Sequence, residues 1–403
     1  MNAPIQPQKD RPAIPRTVWV LGCVSLAMDV SSEIVHSLLP LFLTTTLGAS
    51  VVVVGLIDGI AESAASIAKV VSGYVSDRMR RRKPLILLGY GLAALTKPLF
   101  PLAEGIALVF GARFVDRIGK GLRGAPRDAL VADVTPESIR GRAFGLRQAL
   151  DTTGAFLGPL LAIGGMFLFA GDIRSVLWIA VVPAGLAVLF VIVGVKDRTH
   201  DQETVRSPIR VNEVSRLSKP FWTIVVIGVV FTLARFSEAF LILKATSDGL
   251  SILLAPLVLI VMSVVYAAGA YPVGALADAF GTKRLLLFGI IALIAADLSL
   301  ALFSNLAGAF VGIALWGVHM ALTQGLLTKL VADHAPEGLL GSAFGVFNLF
   351  TGIALLCASV IAGTLWDQLG PEATFLAGAG FATAAGAMTL RSAWRESLDR
   401  ESE

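Results

Sequence analysis

Long apolar runs separated by short polar stretches govern the chain from residue 17 to residue 391. A helix needs about 20 mainly apolar residues to cross the hydrocarbon of a bilayer. Twelve segments meet that requirement, at 17–46, 51–75, 84–102, 106–130, 142–169, 175–195, 220–245, 250–277, 284–304, 306–331, 342–366 and 372–391. Most connections between them are short, and the polar stretch 196–219 is the exception. Residues 1–16 are polar and rich in proline, and the first apolar run is too long for the core of a cleavable signal, so a retained N-terminal tail is expected. A second tail, 392–403, closes the chain.

Composition agrees with a lipid setting. Of the 403 residues, 55% are apolar and 15% charged, against about 25% charged in soluble domains. Mean hydropathy is +0.77. A soluble core would not hide so much apolar surface, and a disordered chain would not carry it. The two cysteines, Cys23 and Cys357, lie in apolar runs outside any CxxC or Cys/His pattern. No disulfide scaffold, metal centre or cofactor is therefore expected. No G-x-x-x-x-G-K-[ST] loop is present, so ATP is not the expected energy source.

The net charge of +4 reflects the placement of Lys and Arg rather than an affinity for nucleic acid. Arg78, Arg80, Arg81, Arg82 and Lys83 follow span 2, Arg140 and Arg142 follow span 4, and Lys283 and Arg284 follow span 8. The stretch 196–219 and the C-terminal tail add eight more. The alternate loops carry Glu104, Asp172, Arg174, Asp248, Asp367 and Glu372. The positive-inside rule then places both termini in the cytoplasm and the protein in the cytoplasmic membrane.

The chain also repeats itself. Val131-Ala132-Asp133-Val134-Thr135-Pro136-Glu137 continues to Gly141-Arg142-Ala143-Phe144-Gly145, and Val331-Ala332-Asp333-His334-Ala335-Pro336-Glu337 continues to Gly341-Ser342-Ala343-Phe344-Gly345. Nine of fifteen positions agree without a gap. Gly73–Asp77 is echoed by Gly274–Asp278, and Ser32-Glu33 by Ser237-Glu238. The expected fold is all-α: 12 transmembrane helices in two parallel-repeat six-helix halves, 17–195 and 220–391, joined by a cytoplasmic linker at 196–219.

These residues resemble the major facilitator superfamily across both halves. The loop after span 2, with Gly73, Asp77, Arg78, Arg81 and Arg82, is similar to the family signature G-x-L-A-D-R-x-G-R-K, with Arg80 in place of its second glycine. Gly274, Leu276, Ala277, Asp278, Gly281, Lys283 and Arg284 form a second copy. Arg117-Ile118-Gly119-Lys120-Gly121 resembles R-x-x-Q-G, and Gly154 to Pro159 resembles the G-x-x-x-G-P motif of antiporters. The resemblance implies alternating access by rocking of the two halves. It also implies a gate in which Asp77 locks the cytoplasmic side.

Ionisable residues inside spans are costly and need a shared reason. In span 1, Asp29, Ser32, Glu33 and His36 lie on one stripe. Asp29, Glu33 and His36 are the candidate proton-coupling face, with a structural seam or a metal set as alternatives. Span 2 carries Asp58, Glu62 and Lys69 on one face, with Asp58 expected to be hydrated. Span 4 carries Arg113, Asp116, Arg117, Lys120, Arg123, Arg127 and Asp128 within an arc of about 140°. Arg113, Arg117 and Lys120 are the candidate anion-binding groups. Arg123, Arg127 and Asp128, with Asp77, Arg78, Arg81 and Asp278, are candidates for gating. Arg147 and Asp151 of span 5 are a candidate self-compensating pair, and Gly158 and Pro159 allow close packing and a bend. Arg235 and Glu238 of span 7, Trp316, His319 and Gln324 of span 10, and Asn348 of span 11 complete the candidate substrate-binding set. Lys244 is expected to snorkel outward.

The expected activity is secondary active transport of a small solute, not catalysis, by a monomer in the bilayer. Proton-coupled export of a small organic, anionic or amphipathic compound is the leading expectation. Proton-coupled uptake of an organic anion is the close alternative. Transport of a metal or metal chelate, or a non-transporting sensor, stands further off.

Overall fold

A computed structural model describes residues 13–79, 81–197, 216–280, 282–335 and 339–401; within them the side chains of Asp77, Tyr271, 274–280, 282–283, Gly325, Thr328, 340–341 and 392–401 are not described. Among the described residues there is no strand. The helices are α1 (Arg16–Leu41, ending in a wider turn at Phe42–Thr46), α2 (Val51–Arg78), α3 (Lys83–Thr96, resuming at Leu99–Leu102), α4 (Ile106–Val134), α5 (Arg140–Leu168), α6 (Ile173–Ile179 and Val181–Gly194), α7 (Lys219–Leu233 and Ala239–Ser247), α8 (Leu257–Phe280), α9 (Thr282–Leu302), α10 (Leu306–His334), α11 (Leu340–Leu369) and α12 (Pro371–Glu401).

Among the described residues, ten helices are long and apolar enough to cross a membrane. The two expected spans outside that set are α4 and α7. The charges of α4 dilute its hydropathy without shortening it. In α7, the stretch Ala234–Glu238 interrupts the helix.

Local chemistry explains several helix ends. Pro40 lacks an N–H, and the hydroxyls of Thr44 and Thr45 donate to Pro40 O and Leu41 O at 2.9 and 2.7 Å, where the helix widens. Asp172 caps α6 by accepting from the N–H groups of Arg174 and Ser175. The Ser175 hydroxyl and those N–H groups hold its carboxyl below the usual carboxylate range. Ser218 and Asn305 cap α7 and α10 by accepting from Phe221 N and Gly308 N.

The packing repeats between halves. α1 lies on α5 and α6, α2 on α4, and α3 on α4 and α6; likewise α7 lies on α11 and α12, α8 on α10, and α9 on α10 and α12. Large apolar side chains such as Leu95, Leu168, Val193, Ile291 and Leu302 point outward, as expected of a lipid-facing surface.

One end of the bundle, the basic one, holds Arg81, Arg82, Lys83 and Arg140; the other, the acidic one, holds Glu104, Asp172, Asp248 and Asp367. At the acidic end the halves are fastened together. Asp367 of α11 accepts from Val51 N and Val52 N of α2 at 3.1 and 3.0 Å. Midway along the same two helices, Ser63 Oγ donates to Gly352 O at 2.5 Å. A Cβ on Gly363 would come within 2.6 Å of Val52 Cα, so the α2–α11 contact is backbone to backbone. At the basic end, Arg82 ties the α2–α3 connection to α4 through Asp133 at 2.7 Å. Asp197 accepts from Arg82 N and Lys83 N.

Candidate functional site

A cavity of 740 Å³ lies between the halves. Its wall includes Glu33 and His36 from α1, Asp58 and Glu62 from α2, and Arg113, Arg117 and Lys120 from α4. The second half supplies Arg235 to Glu238 from the α7 break, Trp316 and Gln324 from α10, and Asn348 and Thr351 from α11. A second cavity of 430 Å³ continues towards the basic end, past Asp29, Lys69, Arg123, Arg127, Asp128, Gln148 and Asp151. Glu33, Lys120, Glu238 and Gln324 line both. Lys69, Lys120, Gln148 and Gln324 are exposed on this path. On the acidic side, Phe236, Phe240, Trp316, Trp366 and Phe375 form a linked aromatic cluster, whose Phe236, Trp316 and Phe375 are buried. The path therefore opens at the basic end and is stopped at the acidic end.

The α7 break presents charge without a helix around it. Ala234 N and Arg235 N bond back to Phe231 O and Thr232 O, closing the first piece. Ser237 Oγ then accepts from Ala239 N at 3.2 Å, starting the second. The same hydroxyl donates to Asp58 Oδ2 at 2.8 Å, joining the break to the first half.

Most of the cations of α4 are already matched. Arg113 bonds Asp58 at 3.0 Å and approaches Glu62 at 3.9 Å; Arg117 meets Glu62 at 3.2 Å and Asp116 at 3.4 Å. Asp116 in turn holds Lys97 at 2.8 Å, and Lys97 donates to Ser32 of α1 at 3.2 Å. Asp58 is thus buried and paired, where the sequence suggested hydration. Nearer the basic end, Arg127 reaches Asp128 at 3.2 Å and Asp151 at 3.9 Å, and Arg147 reaches the same two carboxylates at 3.2 and 3.0 Å. Arg123 packs over the Tyr90 ring, 4.7 Å from its centroid. Gly158 lies against Val30 and Glu33 of α1, and Pro159 is buried inside α5.

The expected sites therefore fall into three groups. Glu33 and His36, 3.4 Å apart, face the central cavity with Arg113, Arg117, Lys120, Arg235, Glu238, Trp316, Gln324 and Asn348; Asp29 faces the lower one. His319 is fully buried away from the central lining, with Nδ1 3.3 Å from Gly289 O of α9. Arg81 is exposed, and Arg78 packs over Tyr74. The side chains of Asp77 and Asp278 lie outside the described residues. Lys244 does not snorkel: it is buried and bonds Asp248 at 2.7 Å. Among the described residues, no three of His, Cys, Asp and Glu come together as a metal site.

Sequence reasoning missed Lys97, Ser237 and Asp297. Lys97 was a lone cation in an apolar run, and Ser237, beside Arg235 and Glu238, was noted only as an echo of Ser32. Asp297 of α9 was a lone acid; it is fully buried, and neither carboxylate oxygen has a hydrogen-bond partner.

The chain matches the model of the Major Facilitator Superfamily over residues 21–354 and 240–402. It is 32% identical over 383 residues to an uncharacterised MFS-type transporter of Methanocaldococcus jannaschii, covering 93% of this chain and 94% of that one. It is 28% identical over 331 residues to the class H tetracycline resistance protein of Pasteurella multocida, covering 74% and 77%. A crystal structure of a peptide transporter superposes with a TM-score of 0.80 at 12% identity, over 94% of this chain and 95% of that one. Sequence, relatives and fold agree over nearly the whole length: the chain belongs to the major facilitator superfamily, a family of membrane transporters and not of enzymes.

Proposed function

We propose that the protein is a proton-coupled exporter of a small organic solute. It works as a monomer in the cytoplasmic membrane, with twelve spans and both termini in the cytoplasm. Two observations support counting α4 and α7 as spans. α4 runs for 29 residues and its charges turn to α1, α2, α3 and α5 rather than to lipid. The two pieces of α7 pack on α11, α12 and α1. The basic end is then cytoplasmic, and the conformation described is open to the cytoplasm.

The observation that carries the reading is the cavity itself. It lies between the halves, opens to one side, and joins a carboxylate–imidazole pair, Glu33 and His36, to the α7 break. Groups of this kind take up and release protons in the physiological range when access alternates. Solute enters from the cytoplasm, the halves close over it, and the α2–α11 seam parts to release it outside as a proton enters. The similarity to a tetracycline resistance protein supports export.

The test uses purified protein in liposomes with an imposed pH gradient and a dye reporting internal pH. Proton flux that appears only with solute, and that Glu33→Gln abolishes, is the expected result. Solute movement without proton flux refutes the coupling. Accumulation on the proton-receiving side refutes export and leaves uptake.

A further inference from the structure

Resting on this transport reading, the structure also bears on the class of solute. The charges that remain after the internal ion pairs are removed are few. Lys120 of α4 is exposed into both cavities and makes no ion pair among the described residues. Arg235, on the α7 break, has a buried Nε without a hydrogen-bond partner. Its guanidinium is 5.8 Å from the Phe231 ring centroid, and it forms no ion pair among the described residues. Glu238, three residues on, lines both cavities, and its carboxylate makes no ion pair or hydrogen bond among the described residues. Two cations and one anion thus face the central cavity, while Asp29, Lys69 and Arg123, also without an ion pair among the described residues, line the one below it. Around them stand the apolar surfaces of Phe236, Trp316 and Phe347.

An uncompensated charge in a low-dielectric cavity is costly, and a ligand that supplies its counter-charge gains a charge-assisted hydrogen bond. A ligand carrying only a carboxylate satisfies Arg235 and Lys120 but leaves Glu238 facing a second negative charge. A ligand carrying only an amine satisfies Glu238 and leaves two cations bare. We propose that the transported solute is amphoteric, with a carboxylate held by Arg235 and Lys120, an ammonium held by Glu238, and an apolar body against Phe236 and Trp316. The size suits it, since sites for drug-sized molecules run from about 300 to 1,000 Å³.

The arrangement also gives such a solute a reason to close the halves. Lys120 belongs to the first half, and Arg235 and Glu238 to the second. A molecule bridging them binds best when the two approach, and ligand-driven closure requires such a difference in affinity between states. The α7 break can adjust, because its backbone between Ala234 and Glu238 is not held in a helical ladder.

The test uses three matched probes: L-phenylalanine, N-acetyl-L-phenylalanine, which lacks the ammonium, and L-phenylalanine amide, which lacks the carboxylate. The dipeptide phenylalanyl-alanine and its two blocked forms make a second set. Binding to the detergent-purified full chain is read by calorimetry and by thermal shift, with no pH gradient. The unblocked compound of at least one set is expected to bind tighter than both blocked forms by about tenfold or more, the value of one charge-assisted hydrogen bond. Glu238→Gln should erase the preference over the acetylated form. Arg235→Gln should erase the preference over the amide, and Arg235→Lys should restore part of it. Equal binding of the acetylated and parent forms overturns the proposal in favour of a simple anion site, and so does failure of all six compounds to bind. A proton flux driven by the acetylated compound leaves the transport reading standing while the amphoteric one falls. Selective binding of the parent without pH-driven movement does the reverse.

Discussion

Asp367 lies near the C-terminal end of α11, where its own helix presents negative carbonyl charge and disfavours a carboxylate. The compensation comes from the other half. Its two oxygens accept from Val51 N and Val52 N, the first backbone donors of α2, at 3.1 and 3.0 Å. α2 therefore takes its N-terminal cap from α11, and Ser50, the residue before it, forms no side-chain cap of its own. Removing a cap costs about 0.5–2 kcal/mol, and loss of the favourable helix-dipole contact about 0.3–1 kcal/mol more. Exposure of the contact to water places the sum in the lower part of that range, at about 1–2 kcal/mol. The contact exists only while the acidic end is closed, so Asp367→Ala should shift the equilibrium towards opening of that end by about 5- to 30-fold. An open population of about 1% would rise to roughly 5–25%. The assay is a distance distribution between spin labels at Thr46→Cys and Leu369→Cys, after Cys23 and Cys357, both exposed, are replaced by serine. Asp172→Ala is the control. It removes the same kind of cap, on Arg174 N and Ser175 N, from within one half. An unchanged distribution in Asp367→Ala, or an equal shift in Asp172→Ala, would refute the reasoning.

Three further outcomes follow from the same geometry. Asp116→Ala strands Lys97 as a buried cation and should destabilise the protein by about 3–5 kcal/mol; the double variant Lys97→Met/Asp116→Leu should recover most of that in thermal denaturation. Ser237→Ala removes both the bond to Asp58 and the cap on Ala239 N, so the label distance should lengthen as in Asp367→Ala, with about 1 kcal/mol lost. Gly158→Ala places a Cβ 2.6 Å from that of Glu33; overpacking should cost about 1–3 kcal/mol and weaken proton coupling more than an equally destabilising change at the lipid surface.

Helical segments and the repeat were legible because lipid imposes a simple code. Each span must be long, apolar and internally bonded, and the bounds read from hydropathy fall within four residues of the helices observed, except that α8 starts at Leu257 rather than 250 and α12 runs on to Glu401, through most of the expected tail. What escaped was set by tertiary partners. Hydropathy cannot register the stop in α7, because Phe236 is as apolar as a helix interior; the break is written in Ser237, whose hydroxyl caps the next piece and reaches Asp58. The periodicity of α4 correctly put its charges on one face but did not say which were spent on neighbours. That depended on Lys97, sixteen residues before the polar stripe began at Arg113 and silent until α3 was packed against α4.

The pairing pattern gives the two halves different mechanical roles. In the first half, ion pairs run from Lys97 through Asp116, Arg117, Glu62 and Arg113 to Asp58, and so stitch α3, α4 and α2 into one body. Lys97 adds α1 through Ser32, and the Arg127–Asp151 and Arg147–Asp128 contacts add α5. Shearing any of these helices past another would leave a buried charge unpaired, so this half moves as a unit. The second half has no such chain in the cavity wall among its described residues; it presents a broken helix backed by aromatic rings packed edge-on or tilted against one another. Among the described residues, the one hydrogen bond from the charge chain to that break is from Ser237 to Asp58. A change of charge at Glu62, 3.9 Å from Arg113, would reach the second half by loosening or tightening the Arg113–Asp58 pair, and with it the hold on Ser237. Coupling by that route predicts that Ser237→Ala uncouples proton movement from solute movement while leaving solute binding in place, a split that a purely structural role for the serine would not produce.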